Sequence, residues 1–139
     1  MKLIISVFCG SLCLISCAQN RNIDKAEAVS VDISFIDNPE CSYDRWDSTL
    51  LVFRSGSNGL LEIIRDSIPL HRKNIKVNRN EGISDIVKVS RDTSAIVVKL
   101  NEKRALIDVK PNYGIIYFDR MDLNTWLITY DNCFYPARK

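Results

Sequence analysis

The residues able to do chemistry in this 139-residue chain are few and scattered. His71 is the only imidazole, and it sits among cations in Leu70-His71-Arg72-Lys73. Nucleophilic catalysis needs a base beside a nucleophile and a third group to orient it. No Gly-x-Ser-x-Gly elbow accompanies His71, so we read it as a surface-loop histidine. Asp44 and Asp47 flank Trp46 in Tyr43-Asp44-Arg45-Trp46-Asp47. Two carboxylates roughly 5 to 10 Å apart beside an aromatic are the equipment of glycoside hydrolysis. The same residues suit a turn whose tryptophan closes one end of a core, and we prefer that reading to a degenerate hydrolase. Gly56 and Gly59 lack the Lys-Ser/Thr continuation of a phosphate-binding loop. With one histidine and no close Cys/His spacing, a metal site is not expected. No catalytic residue and no cofactor is expected either.

Cysteine usage is more informative. Lys2 precedes an apolar run from Leu3 through Ile15, which ends in Ser16-Cys17. About a dozen apolar residues are too few for the roughly 20 that a membrane-spanning helix needs. A positive start, a short apolar middle and small residues near a cut describe a signal peptide. Leu14-Ile15-Ser16-Cys17 resembles the lipobox of bacterial lipoproteins, as found in Bacteroidetes. That resemblance implies cleavage before Cys17 and lipidation of its sulfur, making residues 1–16 a leader. Two or three acyl chains on one residue anchor a protein stably, where one would not. Ala18 is not the aspartate of inner-membrane retention, and Gln19-Asn20-Arg21-Asn22 is not an acidic surface-export run. The resemblance therefore implies an outer-membrane lipoprotein facing the periplasm. Cys9 and Cys13 would leave with the leader and Cys17 would carry lipid. Cys41 and Cys133 then remain in a compartment where disulfides persist, and we expect them to pair.

Beyond the anchor lies one domain's worth of chain, long enough to bury a real core. A formal net charge of +2 suggests neither a nucleic-acid partner nor an acidic tail. Arg72, Lys73, Lys76 and Arg79 cluster locally. We read them as an edge strand dressed with cations, and secondarily as a site for an anionic partner; the candidate binding surface comprises Trp46, His71, Arg72 and Lys73. Asp47-Ser48-Thr49 and Asp66-Ser67-Ile68 resemble the three-residue O-glycosylation acceptor of Bacteroidetes, which would place sugars on Ser48 and Ser67. Tyr130, Phe134 and Tyr135 surround Cys133 and read as a cap on the core around the disulfide.

The pattern along the chain is that of short strands. Residues 17–28 read as a polar tether and 29–139 as a single β domain. Val29 to Phe35 alternates with period two, the signature of a half-buried strand. Thr49–Arg54 and Leu60–Arg65, around Ser55-Gly56-Ser57-Asn58-Gly59, predict a hairpin. A weaker strand is expected at Ile75–Arg79, with strands near residues 86–89, 95–100, 105–109, 115–118 and 126–130. A short helix over Gly82–Val87 is an alternative for that stretch. Short polar links favour antiparallel neighbours. The expectation is thus an all-β fold, an antiparallel meander of eight or nine strands forming a sandwich or an up-and-down barrel. A closed propeller is rejected, since no signature repeats at a fixed period.

These features lead to a non-enzymatic envelope lipoprotein that binds another envelope protein, of inhibitor or immunity type. The architecture resembles the periplasmic lysozyme-inhibitor lipoproteins, small β-barrels in which a cysteine pair joins an early strand to the chain end, as Cys41 and Cys133 would. Their Ser-Gly-containing inhibitory loop has no counterpart here, so the resemblance implies no inhibitory residue. The alternative function is a structural or accessory subunit of an outer-membrane assembly.

Overall fold

The computed structural model describes residues 25–41 and 47–133, and within them the chain is all-β. Ten strands run in order: β1 (Glu27–Ala28), β2 (Ser30–Ile36), β3 (Ser48–Phe53), β4 (Gly59–Arg65), β5 (Ile68–Ile75), β6 (Asp85–Ser90), β7 (Ala95–Leu100), β8 (Lys103–Asp108), β9 (Ile115–Asp119) and β10 (Thr125–Asp131). They form two five-stranded sheets, ordered β1-β8-β7-β4-β5 (sheet A) and β2-β10-β9-β3-β6 (sheet B). Neither sheet closes on itself, so the architecture is a sandwich and the barrel alternative falls.

The central strands each show one apolar face to the other sheet. Leu61 and Ile63, Ile96 and Val98, and Ala105 and Ile107 line the inside of sheet A, while Leu51, Phe53, Val87, Val89, Ile116, Phe118, Trp126 and Ile128 line sheet B. Phe53 and Phe118 stack across the parallel β3–β9 pair with ring centroids 4.6 Å apart. Burying such side chains stabilises by about 1.5–3 kcal/mol each, and that drives the period-two pattern.

The expected β3–β4 hairpin does not form. Strand β3 lies in sheet B between β9 and β6, and β4 lies in sheet A between β7 and β5. The link between them is an arch from one layer to the other, and its hydrogen bonds go elsewhere. Arg54 N–H donates to Phe118 O (2.9 Å), and Arg120 N–H donates to Ser55 O (2.8 Å). Asn101 accepts Leu60 N–H at its Oδ1 (3.0 Å) and donates through Nδ2 to Asn58 O (3.1 Å). A Cβ on Gly59, whose φ is +122°, would collide with that Asn101 side chain. Glycine is required there by space as well as by backbone.

The true hairpin is one element later. Strands β4 and β5 pair antiparallel across Asp66-Ser67, whose φ values are 50° and 63°. Two consecutive left-handed residues make a type I′ turn, which matches the twist of the strands it joins. Consequently β5 spans Ile68–Ile75, and the strand expected at Ile75–Arg79 is instead the link leaving it. Gly82–Val87 holds no helix, since Asp85 already begins β6.

The chain is a meander only locally. It changes sheet at Val29, where Val29 N–H donates to Arg104 O of sheet A (3.0 Å) and Ser30 N–H donates to Asn124 O of sheet B (3.1 Å). It changes again after β3, β5, β6 and β8. Links that run through the other layer let distant strands meet in parallel, as β1–β8, β2–β10 and β3–β9 do. The antiparallel expectation therefore holds for β4–β5, β7–β8 and β9–β10 and not for these pairs. Glu27 and Ala28, expected in the tether, already pair with β8.

Cys41 and Cys133 are bonded, with Cα atoms 5.1 Å apart and a sequence separation of 92. Beside the bond, Asn38 N–H donates to Asn132 Oδ1 (2.8 Å) and Asn132 Nδ2 donates back to Asn38 O (2.9 Å). Replacing both cysteines by serine is expected to lower unfolding free energy by about 4 kcal/mol, from the loop-closure entropy of so long a loop, as read by urea titration. Ser67→Gly should raise stability by about 1 kcal/mol by relieving a left-handed non-glycine residue, measured the same way.

Candidate functional site

The cationic cluster seen in the sequence is divided by the strand that carries it. Along β5, His71 pairs with buried Ile63 and Lys73 with buried Leu61, so both lie on the inner face, while Arg72 pairs with Glu62 on the outer face. His71 Nε2 sits 2.9 Å from Asp85 Oδ2, and Lys73 Nζ sits 3.6 Å from Asp85 Oδ1. Asp85 opens β6, so these contacts join the free edges of the two sheets along one side of the sandwich. His71 is thus a strand residue, its side chain 26% exposed, and not a loop histidine. Arg72 Nε is 3.4 Å from Glu62 Oε1, an exposed pair of little energetic weight. The structure does not assemble His71, Arg72 and Lys73 into one anion-binding surface. An inward lysine on an edge strand discourages edge-to-edge aggregation, and Lys73 is placed in that way.

Trp46, Asp44 and Cys17 lie outside the described residues. Asp47 is exposed beside the start of β3, where Ser48 is half-buried opposite Ser90. Ser67 stands at the exposed apex of the β4–β5 turn. Phe134 and Tyr135 also fall outside the description, but Tyr130 is 1% exposed and belongs to the core as expected. Its hydroxyl donates to Asp108 O at 2.6 Å, reaching from sheet B to the open edge of β8 in sheet A. Burial, helped by the Asp108 charge, pushes its pKa up to about 12. Phe35 stacks on Tyr130 (5.3 Å) and tilts against Tyr113 (5.4 Å). The Tyr113 hydroxyl donates to Asp37 Oδ1 at 2.6 Å, and this hydrogen bond is the main cause raising its pKa.

A hollow of about 720 Å³ lies at one end of the sandwich, lined in part by Leu60, Leu100, Asn101, Lys103, Met121 and Asp122. Its polar groups serve the fold: Asn101 ties the arch, and Lys103 Nζ donates to Asp122 O (3.2 Å). Among the described residues, no three of His, Cys, Asp and Glu come together as metal ligands. Likewise, no helix there is long and apolar enough to cross a membrane.

The outer faces of the two sheets differ. On sheet B, Arg54 holds Asp119 through Nε (3.2 Å) and Nη2 (2.6 Å), and its guanidinium lies 4.0 Å over the Tyr117 ring. On sheet A, the registers Leu106↔Val97, Val97↔Ile64 and Ile64↔Pro69 place an apolar row across four strands. Leu106 is 70% exposed, and Ile68 and Leu70 next to Pro69 are also exposed. A row of charges, Arg104, Lys99, Glu62 and Arg72, runs alongside it. Sequence reasoning missed the apolar row because its members sit on four different strands. The signal available was the run Ala95-Ile96-Val97-Val98 and the adjacent apolar pairs on either side of Glu62 in Leu60-Leu61-Glu62-Ile63-Ile64, which are too apolar for strands with one wet face.

No known protein-family model matches the chain, and no curated protein matches it.

Stability should depend on Tyr130 at high pH. Below pH 10 its protonated, buried state contributes fully. As pH rises from about 10 toward about 12, the unfolded chain loses the phenolic proton and the folded chain keeps it, so stability falls by about 1.4 kcal/mol per pH unit. Denaturant titrations from pH 8 to 12 on wild type and Tyr130→Phe should show this slope in the difference between them.

Proposed function

We propose that this protein is a non-enzymatic envelope lipoprotein, anchored through Cys17, that binds another envelope protein through the outer face of sheet A. The observation that carries the reading is the uncovered row Leu106–Val97–Ile64–Pro69 beside the charged row of the same face. An apolar strip rimmed by charges on a rigid sheet is the composition of a protein contact: the strip supplies desolvation and the rim supplies orientation. An inhibitor or immunity module needs such a preorganised face and little else, because a rigid sheet loses little entropy on binding. The disulfide and the Asn38–Asn132 clasp support this by holding the β2 and β10 ends together. Ser67, if glycosylated, would carry its sugar at the rim of the same face, where the β4–β5 turn projects.

The test uses the full chain in its native membrane, with a photo-crosslinking residue at position 106 and, for comparison, at position 90 on sheet B. We expect one discrete heterologous adduct from position 106 alone. Leu106→Asp should weaken the complex by tenfold or more, since burying one leucine is worth about 1.5–3 kcal/mol. Labelled palmitate should enter the wild-type chain and not Cys17→Ala. Equal adducts from both positions, or a complex indifferent to Leu106→Asp, would count against this face. Unlabelled wild type would count against the anchor.

A further inference from the structure

We infer that two copies of this chain pair edge to edge through β2, antiparallel about a two-fold axis at Ile33, joining their B sheets into one. This contact is separate from the sheet A face and uses a different edge.

Strand β2 is the one long strand edge among the described residues without an evident protective device. β1 has only two residues, β5 carries His71 and Lys73 inward, and β6 begins with the Asp85 they engage. β2, by contrast, reads Ser-Val-Asp-Ile-Ser-Phe-Ile, with no proline, lysine or arginine and with most of its length exposed. Such an edge is a template for another strand. Its hydrogen-bonding phase is set at both ends. Ser30 N–H donates to Asn124 O, and Asn132 N–H donates to Ile36 O (3.2 Å). In a parallel ladder, alternate residues bond the same neighbour, so the even-numbered residues of β2 face β10. The amides and carbonyls of Val31, Ile33 and Phe35 therefore project from the open edge.

Those same residues carry the apolar side chains. Ile33 is 49% and Phe35 48% exposed, although both lie on the face of β2 that packs inward at Val31. Among the described residues, sheet A ends at β1, which leads directly into β2 at Val29, and supplies no further strand beside it. The order of residues selects the occupant. Turned antiparallel about Ile33, the strand is complementary to itself: Ile33 meets Ile33, Val31 meets Phe35, and Asp32 meets Ser34. Each odd-numbered facing pair is then a hydrogen-bonded pair exchanging both backbone bonds, and Asp32 and Ser34 fall at the closer, non-bonded positions. The strand's one charge faces a hydroxyl and not its own copy. A two-fold contact must be self-complementary in this way, and a one-residue slip would set apolar against polar faces.

The experiment uses the full chain purified in detergent. Sedimentation equilibrium should give a dimer for wild type and for S34N. S34D sets a carboxylate opposite the partner's Asp32 and should shift the chain to monomer, whereas D32K/S34D restores an opposite-charge pair and the dimer. I33C faces itself at about 5.5 Å between Cα atoms, within disulfide reach. It should crosslink in intact membranes under mild oxidant, and S34C should not. Circular dichroism confirms that each variant is folded, and the I33C crosslink decides the matter if S34D is not. A monomer at the highest concentration reached, S34C crosslinking as readily as I33C, or a different protein seated on β2 would each overturn the pairing. None of these outcomes touches the position 106 crosslink, so the two readings fail separately.

Discussion

Two open sheets share one apolar core, and each strand can bury its single apolar face only against the opposite layer. The contact between the inner faces, with Trp126, Ile128 and Tyr130 of β10 opposite the Ala105 and Ile107 side, is what the rest of the molecule depends on. It explains why consecutive strands separate. A β3–β4 hairpin would have kept Leu51 and Phe53 in the same layer as Leu61 and Ile63. The arch instead sets them in facing layers, and Asn101 and the Phe118 carbonyl take up the backbone groups that a hairpin would have paired. Buried backbone groups need partners, and here the partners come from turns distant in sequence.

A sandwich that does not close has four edges, and this chain treats them differently. On one side, His71 and Lys73 reach from β5 to Asp85 on β6, so the two edges contact each other across the gap. On the other side, a single continuous segment passes from sheet A to sheet B at Val29. Tyr130 links the two layers through its bond to Asp108 O, and Phe35 stacks on its ring. Among the described residues, strand β2 remains an open edge. Of the cations that cluster in sequence, Lys73 faces inward from the edge strand and Arg72 faces outward beside Glu62.

Alternation made most strands legible: Ser30–Ile36, Ala95–Leu100, Lys103–Asp108, Ile115–Asp119 and Thr125–Asp131 lie within a residue or two of the periodic stretches. The all-β class and the pairing of Cys41 with Cys133 were legible as well. The β4–β5 turn was not, because Asp66-Ser67 lacks the glycine that normally marks a type I′ turn. Nor was β5, whose charged middle hides its apolar partners. The apolar row on sheet A was illegible, since it exists only once Leu106, Val97, Ile64 and Pro69 are in register.

By itself, the sequence determined which residues alternate, because period-two hydrophobicity is a local property. Tertiary structure alone decided which strands are neighbours, which pairs run parallel and which edges stay open. Those depend on where each link spends its backbone hydrogen bonds, and a link that crosses layers looks, residue by residue, the same as one that turns within a sheet.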